Sequence, residues 1–317
     1  MVSFPKVNNI VYDEKYQLVH RFLTVPFWEN TYDDLFAEDI VVDFPYAPPG
    51  MYQHMIPFEF LAYRKWMAET VRQWQLAAEP TIIPINDGHT FWTISAVSAQ
   101  VYWAKRETGY ENEVVCKIEV RDGKIAYLRI FENPIAYCRA MGAEVPHFEY
   151  LNDITDDPPC IRMAEGQVSK FTTEQNVQRA INNFANPIDG HDSDPESIYA
   201  FDAVEVTPYA PHDMYEVWSG KILDQQIEWM MRDCPEWTTI DKVPFYQSVD
   251  PNVIVVESFG YGRVVWSHTD GHYTQRELQI VHLDDSGKVS YFRVYFDPMR
   301  KFASMNKSVP SFPYYNF

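Results

Sequence analysis

The chain has 317 residues, 46% hydrophobic and 22% charged, and carries a net charge of −19. Such an acidic balance excludes a nucleic-acid partner, whose phosphates need clustered Lys and Arg, and argues equally against an anionic membrane surface. Length points to two domains.

Apolar residues at helical spacing (Tyr16, Val19, Phe22, Leu23) predict a helix within 13–29, stopped by Pro26. A short acidic helix is expected over 31–37, then a β-rich run, IVVDF, ending at Pro45. The segment 45–57 must be a loop, turning at Pro48-Pro49-Gly50. An amphipathic helix is expected over 58–76. Long strands follow through TFWTISAVSAQVYWAKR, YENEVVCKIEVRDG and KIAYLRIFEN, with a hairpin at Asp122-Gly123. Pro134 opens a short helix. Residues 150–172, acidic with a Pro pair and Gly, read as a linker. The order then repeats: a helix near 174–185, a strand at 202–207, a helix at 219–233, strands at 240–246, 252–268, 273–284 and 288–296, and a helix from Pro298.

The repetition is literal. PYAPPGMY at 45–52 returns as PYAPHDMY at 208–215, an offset that also carries Trp66, Trp74 and Trp103 onto Trp229, Trp237 and Trp266. One inserted residue later, Gly123, Arg129, Pro134 and Phe148 match Gly287, Arg293, Pro298 and Phe312. Tryptophan is too rare for three such coincidences, so the chain is a tandem duplication. The boundaries expected are a first domain at 1–149, a linker at 150–172 and a second domain at 173–317. Each copy reads as α+β: a curved antiparallel sheet with helices over its concave face, making two tandem cone-shaped barrels. The mouth of a cone is a natural small-molecule pocket, and nine Trp, 21 Tyr and 20 Phe suit an apolar or aromatic ligand.

The PYAPPGM loop and the closing segments RDGKIAYLRIFENP and DSGKVSYFRVYFDP resemble the nuclear transport factor 2-like superfamily, in particular the SnoaL-like polyketide cyclases and the phenazine-biosynthesis A/B proteins. VVESFGYGRVV at 255–265 is similar to the phenazine-type strand. The resemblance spans both copies. It implies cone-shaped barrels, frequent homo-oligomers, and either non-catalytic binding modules or cofactor-free dehydratases, isomerases, cyclases and carbon–carbon lyases. The sequence departs from that pattern at the family's catalytic positions. The last-strand carboxylate falls on Ile130 and Val294, and the phenazine-type helix histidine falls on Tyr63 and Gln226. Any acid and base must therefore lie elsewhere in the cone.

Candidate residues come from what the first copy has and the second lacks. His54, beside the loop, becomes Val217, and Asp43 in an apolar strand becomes Val206. His titrates near neutral pH, and a buried carboxylate has a raised pKa, so both suit proton transfer. Tyr46 can donate a hydrogen bond to a developing oxyanion. Lys117 and Glu119 share one strand face and, at the later offset, match Val281 and Leu283; inward they would hold a phenolate, outward they are an ordinary polar face. Arg64, His89 and Tyr102 are further pocket candidates. Each of these also has a plainer reading as a loop anchor or a solvated side chain. Arg129 and Arg293 read as structural, and Glu257 is a candidate for the second cone. His268, Asp270 and His272 lack a further ligand, so no metal is expected. P-loop, dinucleotide-binding and nucleophile-elbow motifs are missing. The four cysteines lack CxxC spacing, the N-terminus lacks a signal pattern, and no apolar run is long enough to span a membrane, so a cytoplasmic protein is expected. The activity expected is a cofactor-independent lyase or dehydratase on a hydrophobic, hydroxylated aromatic molecule, removing water or a one-carbon fragment. The rivals are an isomerase or cyclase of secondary-metabolite biosynthesis and a non-catalytic binding protein.

Overall fold

The computed structural model describes residues 3–26, 28, 34–148, 155–185, 194–239, 244–266 and 270–312. Two tandem α+β units emerge, each built on a sheet of seven strands with helices against it. The N-terminal unit takes in Val7–Val145 and Val309–Phe317, and the C-terminal unit Pro146–Ser308 and Met1–Lys6.

In the N-terminal unit, helix α1 (Glu14–Thr24) starts at Asp13, whose carboxylate accepts from the Tyr16 amide at 2.9 Å. Strands β1 (Phe36–Asp43) and β2 (His54–Met55) precede helix α2 (Pro57–Thr70). Strands β3 (Val71–Leu76), β4 (Thr81–Pro84), β5 (Thr90–Trp103), β6 (Arg106–Arg121) and β7 (Lys124–Glu132) lead to helix α3 (Pro134–Ala140). The sheet runs β2-β1-β7-β6-β5-β3, with β4 also on β5. Two turns, Ala104-Lys105 and Asp122-Gly123, have positive φ at both central residues, the conformation that matches strand twist in tight hairpins. The first strand is an exception to the expected antiparallel order, since β1 lies parallel to β7.

Two expected helices are corrected. The acidic stretch at 31–37 partly lies outside the described residues, and from Phe36 onward it is strand. The helix expected to reach residue 76 ends at Thr70, and Val71–Leu76 pairs with β5 across a bulge where Gln73 takes a φ of 49°.

The C-terminal unit repeats the plan. Helix α4 (Thr173–Ala185), strands β8 (Tyr199–Val206) and β9 (Val217–Ser219), and helix α5 (Gly220–Asp233) come first. Strands β10 (Thr238–Thr239), β11 (Phe245–Gln247), β12 (Val253–Val264), β13 (Gly271–Leu283) and β14 (Val289–Phe296) precede helix α6 (Pro298–Ser304). Within the stretch read as linker, Arg162 is anchored: it clamps Asp224 through three hydrogen bonds of 2.8–3.3 Å and bridges to Tyr199. His268, the first of the proposed ligand trio, lies outside the described residues, and Asp270 is engaged by Arg263 at 2.8 Å.

The ladders fix which residues correspond. Ser95 faces Val114, which faces Glu132; Ser258 faces Glu277, which faces Phe296. The extra residue of the second copy therefore sits in the turn after β13, and Lys117 and Glu119 correspond to Ile280 and His282 rather than to Val281 and Leu283.

The paired tryptophans form matching cages. Trp66 stacks on Trp103 at 5.6 Å, and Trp229 on Trp266 at the same distance. Phe312 packs edge-on against the first pair, and Phe148 against the second. The Phe312 amide donates to the Pro49 carbonyl at 2.6 Å, close over Gly50, whose φ of 96° leaves no room for a side chain. The matching position is Asp213, also left-handed at 76°. Residues 313–317 lie outside the described residues.

Candidate active site

The interiors of the two units differ in space and in chemistry. In the N-terminal unit, a cavity among the described residues measures about 40 Å³, lined by Phe22, Trp74, Val114, Cys116, Ile130 and Glu132 among others. That is room for little more than water. The C-terminal cavity is about 300 Å³, within reach of a small-molecule site.

Acid–base groups gather there from four elements. Glu205 comes from β8, Glu277 and Gln279 from β13, Gln226 from α5 and Lys301 from α6. Alternation along the strands aims them inward: Phe292 of β14 sits opposite Glu205, and Phe296, two inward positions along, sits opposite Glu277. The rest of the wall is mixed: Met214, Met230, Trp237 and Phe184 are apolar, while Thr207, Thr239, Ser258 and Asn183 add polar groups.

Burial sets the protonation states. Glu205 is 3% exposed, and desolvation pushes its carboxyl up to about 8; Lys301 opposes this and Glu277 adds to it. Gln226 Nε2 donates to Glu205 Oε1 at 3.3 Å. Burial also raises Glu277, against the opposing Lys301 charge and a 3.3 Å hydrogen bond from Gln279 Nε2. Gln279 Oε1 is buried without a hydrogen-bond partner, leaving an acceptor on the cavity wall. Desolvation pulls the Lys301 ammonium down to about 8, although Cys234, Glu277 and Glu205 favour the charge. Near neutral pH the cavity thus holds a carboxylic acid in Glu205 and an easily deprotonated amine in Lys301, with Glu277 beside them as a second carboxyl raised by burial.

The N-terminal counterparts are different residues. Val42 stands for Glu205, Val114 for Glu277, Tyr63 for Gln226 and Tyr137 for Lys301. The one carboxylate there, Glu132, is raised by burial to about 7 and accepts from Tyr137 Oη.

The residues singled out from sequence fall elsewhere, and none lines either cavity. Four of them come together on the sheet face opposite the interior. Asp43 accepts from His54 Nδ1 at 2.7 Å, from Arg129 Nη2 at 3.1 Å and from Tyr127 Oη. Burial pushes Asp43 up, but these donors outweigh it and hold the carboxyl below its ordinary value. Lys117 pairs with Glu119 at 2.7 Å, its ammonium 5.4 Å from the Tyr127 ring centroid. The remaining candidates are dispersed. Tyr46 is buried against Phe131, Arg64 lies over the Phe36 ring, His89 bonds Asp87 in an exposed turn, and Tyr102 is exposed. Glu257 pairs with Arg276 on the face away from the cavity. Arg293 bonds Tyr291 Oη at 2.7 Å, in keeping with a structural role. His147, His212 and Asp213 form an exposed group whose ligand atoms lie within 4.8 Å of one another. No described helix is long and apolar enough to cross a membrane.

Comparison with solved structures finds similarity to a phenazine biosynthesis-related protein of Pseudomonas aeruginosa, at 18% identity and a TM-score of 0.39, covering 45% of this chain and 94% of that one. An NTF2-like protein of Burkholderia xenovorans matches at 20% identity and a TM-score of 0.34, covering 40% and 95%. PrhC of Penicillium brasilianum matches at 14% identity and 0.34, covering 41% and 86%. No protein-family model and no curated protein matches the chain.

Proposed function

We propose that the C-terminal cavity carries out cofactor-free acid–base elimination on a small, largely apolar molecule bearing a carbonyl and a β-hydroxyl. The observation that carries this is the convergence of Glu205, Glu277 and Lys301 on one cavity of about 300 Å³, at positions where the other copy has Val42, Val114 and Tyr137. Glu277, as carboxylate, removes the proton next to the carbonyl. Glu205, a carboxylic acid at neutral pH, gives its proton to the departing hydroxyl, and water leaves. Lys301 stabilises the negative charge that gathers on the carbonyl oxygen, an effect strengthened by its burial among aromatic rings. The same proton removal without loss of hydroxyl would be an isomerisation. Gln226 and Gln279 orient the two carboxyl groups.

The test is turnover of a panel of β-hydroxy ketones and aldehydes by the wild type and by Glu205→Gln and Glu277→Gln. Each substitution keeps shape and removes proton transfer, so kcat should fall by about a hundredfold or more. Unchanged turnover in both variants refutes the assignment. Ligands that raise the melting temperature without forming product would identify a binding protein.

The Asp43–His54 pair supports a second reading, in which proton transfer occurs on the N-terminal unit. Loss of turnover in His54→Ala, with Glu277→Gln active, would select it.

A further inference from the structure

We propose that Lys301 acts covalently, its amine condensing with the carbonyl of an aldehyde or ketone to form an imine; this rests on the elimination reading, names its electrophile, and puts the iminium in place of the ammonium as the sink for the developing charge. The first ground is the setting of the amine. Lys301 Nζ lies 4.1 Å from the Phe296 ring centroid, and the rings of Phe148, Trp266 and Trp229 surround it at 5.5, 5.5 and 5.8 Å. Among the described residues it has no ion-pair or hydrogen-bond partner for its side chain, although it is 5% exposed and lines the cavity.

The duplication supplies the second ground. In the N-terminal unit the same cage, built of Trp66, Trp103 and Phe312, is closed by Tyr137, stacked 5.2 Å from Trp103. A tyrosine therefore satisfies the packing. The C-terminal unit keeps the cage and replaces that ring with a buried amine, which costs desolvation and needs a chemical reason. A lysine desolvated among apolar groups is a nucleophile for carbonyl carbon, and burial lowers its affinity for the proton.

The groups around it complete the reaction. The neutral amine attacks the carbonyl carbon, forming the C–N bond, while Glu205 gives its proton to the oxygen. The carbinolamine then loses its oxygen: the C–O bond breaks, a second proton drawn from nitrogen through Glu205 makes the leaving group water, and the iminium remains. Amine, carbonyl and one proton thus give iminium and water, with no change in oxidation state. The iminium acidifies the adjacent C–H for Glu277, whose strand position faces Phe296 beneath the amine. Hydrolysis by the reverse path frees the product.

The full chain is incubated with 4-hydroxybenzaldehyde and sodium cyanoborohydride, and adducts are located by intact mass and peptide mapping. At about pH 7.5 Lys301 should be labelled on the order of a hundredfold faster than solvated lysines, the ratio of their unprotonated fractions. Lys301→Arg keeps the cation but cannot form the imine, so it should lose both the adduct and turnover. Should Lys301→Arg fail to fold, the wild-type labelling pattern still decides. Labelling spread over other lysines with Lys301 unmodified overturns the proposal, as does a Lys301→Arg variant retaining wild-type turnover; in that case the elimination reading stands on the carboxylates alone. Specific labelling of Lys301 in a Glu277→Gln protein that still turns over supports the imine and rejects the elimination step.

Discussion

Replacing Glu205 with Gln should make the protein more stable while abolishing activity, and the gain should depend on pH. An unfolded chain ionises this carboxyl at its ordinary value of 4.5, whereas burial holds the folded group up to about 8. Between those values the folded state binds more protons than the unfolded, so rising pH costs stability across that window. At pH 7 the penalty is on the order of 3 kcal/mol, since each pH unit of mismatch is worth about 1.4 kcal/mol. Below pH 4.5 both states hold the proton and the penalty disappears. The amide of the replacement has nearly the same shape, and its oxygen still accepts from Gln226, so little packing is lost. Urea unfolding followed by tryptophan fluorescence at pH 4.5, 5.5, 7 and 8 should show a variant equal to wild type at the lowest pH and progressively more stable above it. A difference that stays constant with pH, or a variant less stable at pH 7, would mean that Glu205 is ionised in the folded protein. It would then be no acid, and the assignment of roles in the cavity would fail.

Three further substitutions probe the other copy. Gly50→Ala puts a Cβ only 2.2 Å from the Phe312 carbonyl oxygen at a φ of 96°, so the tail must shift; it should cost about 1–3 kcal/mol in urea unfolding, and Phe312→Ala about 3–5 kcal/mol, with the pair less than additive because both undo one contact. Glu132→Gln should remove a loss of stability between pH 4.5 and about 7, because the folded carboxyl keeps its proton up to about 7 while Tyr137 can still donate to the replacement; a pH-independent effect would contradict the buried acid.

The duplication, and with it the α+β plan, was legible because its markers are large and rare. Three Trp pairs at one spacing turn out to be two copies of one stacked cage. Where a helix was expected over 71–76, the spacing of Trp66, Met67 and Trp74 suits a helix, but the chain instead bulges at Gln73, a left-handed residue that no periodicity announces. The proposed C-terminal site was harder to find from the sequence for two reasons. Charges were sought that the first copy has and the second lacks, which finds Asp43 and His54; the opposite comparison finds Glu205 against Val42. Placing the extra residue before β13 rather than in the turn after it also turned Val114 opposite Glu277 into a pair of charged residues, Glu113 and Glu277, and hid the exchange. Lys301 looked like one more polar residue of RKFASM, since nothing in a seven-residue helix tells which side the fold buries.

Space and chemistry arrive in the C-terminal interior through the same exchanges. Phe44 and Tyr63, packed 5.4 Å apart in the N-terminal unit, become Thr207 and Gln226, and Tyr137 becomes Lys301. Each replaces a ring with a narrower chain, and Thr207, Gln226 and Lys301 all line the cavity of about 300 Å³. Each also places a polar atom where a ring had been, and the accompanying Val42-to-Glu205 and Val114-to-Glu277 differences add the carboxyls. Random loss of packing would leave an apolar void, which collapses or stays dry. A hollow holding two buried carboxyl groups, and an amine with no hydrogen-bond or ion-pair partner among the described residues, is instead costly for the folded state. The N-terminal copy shows that the frame stands without them, which supports the proposal that the cavity is shaped for a ligand rather than for stability.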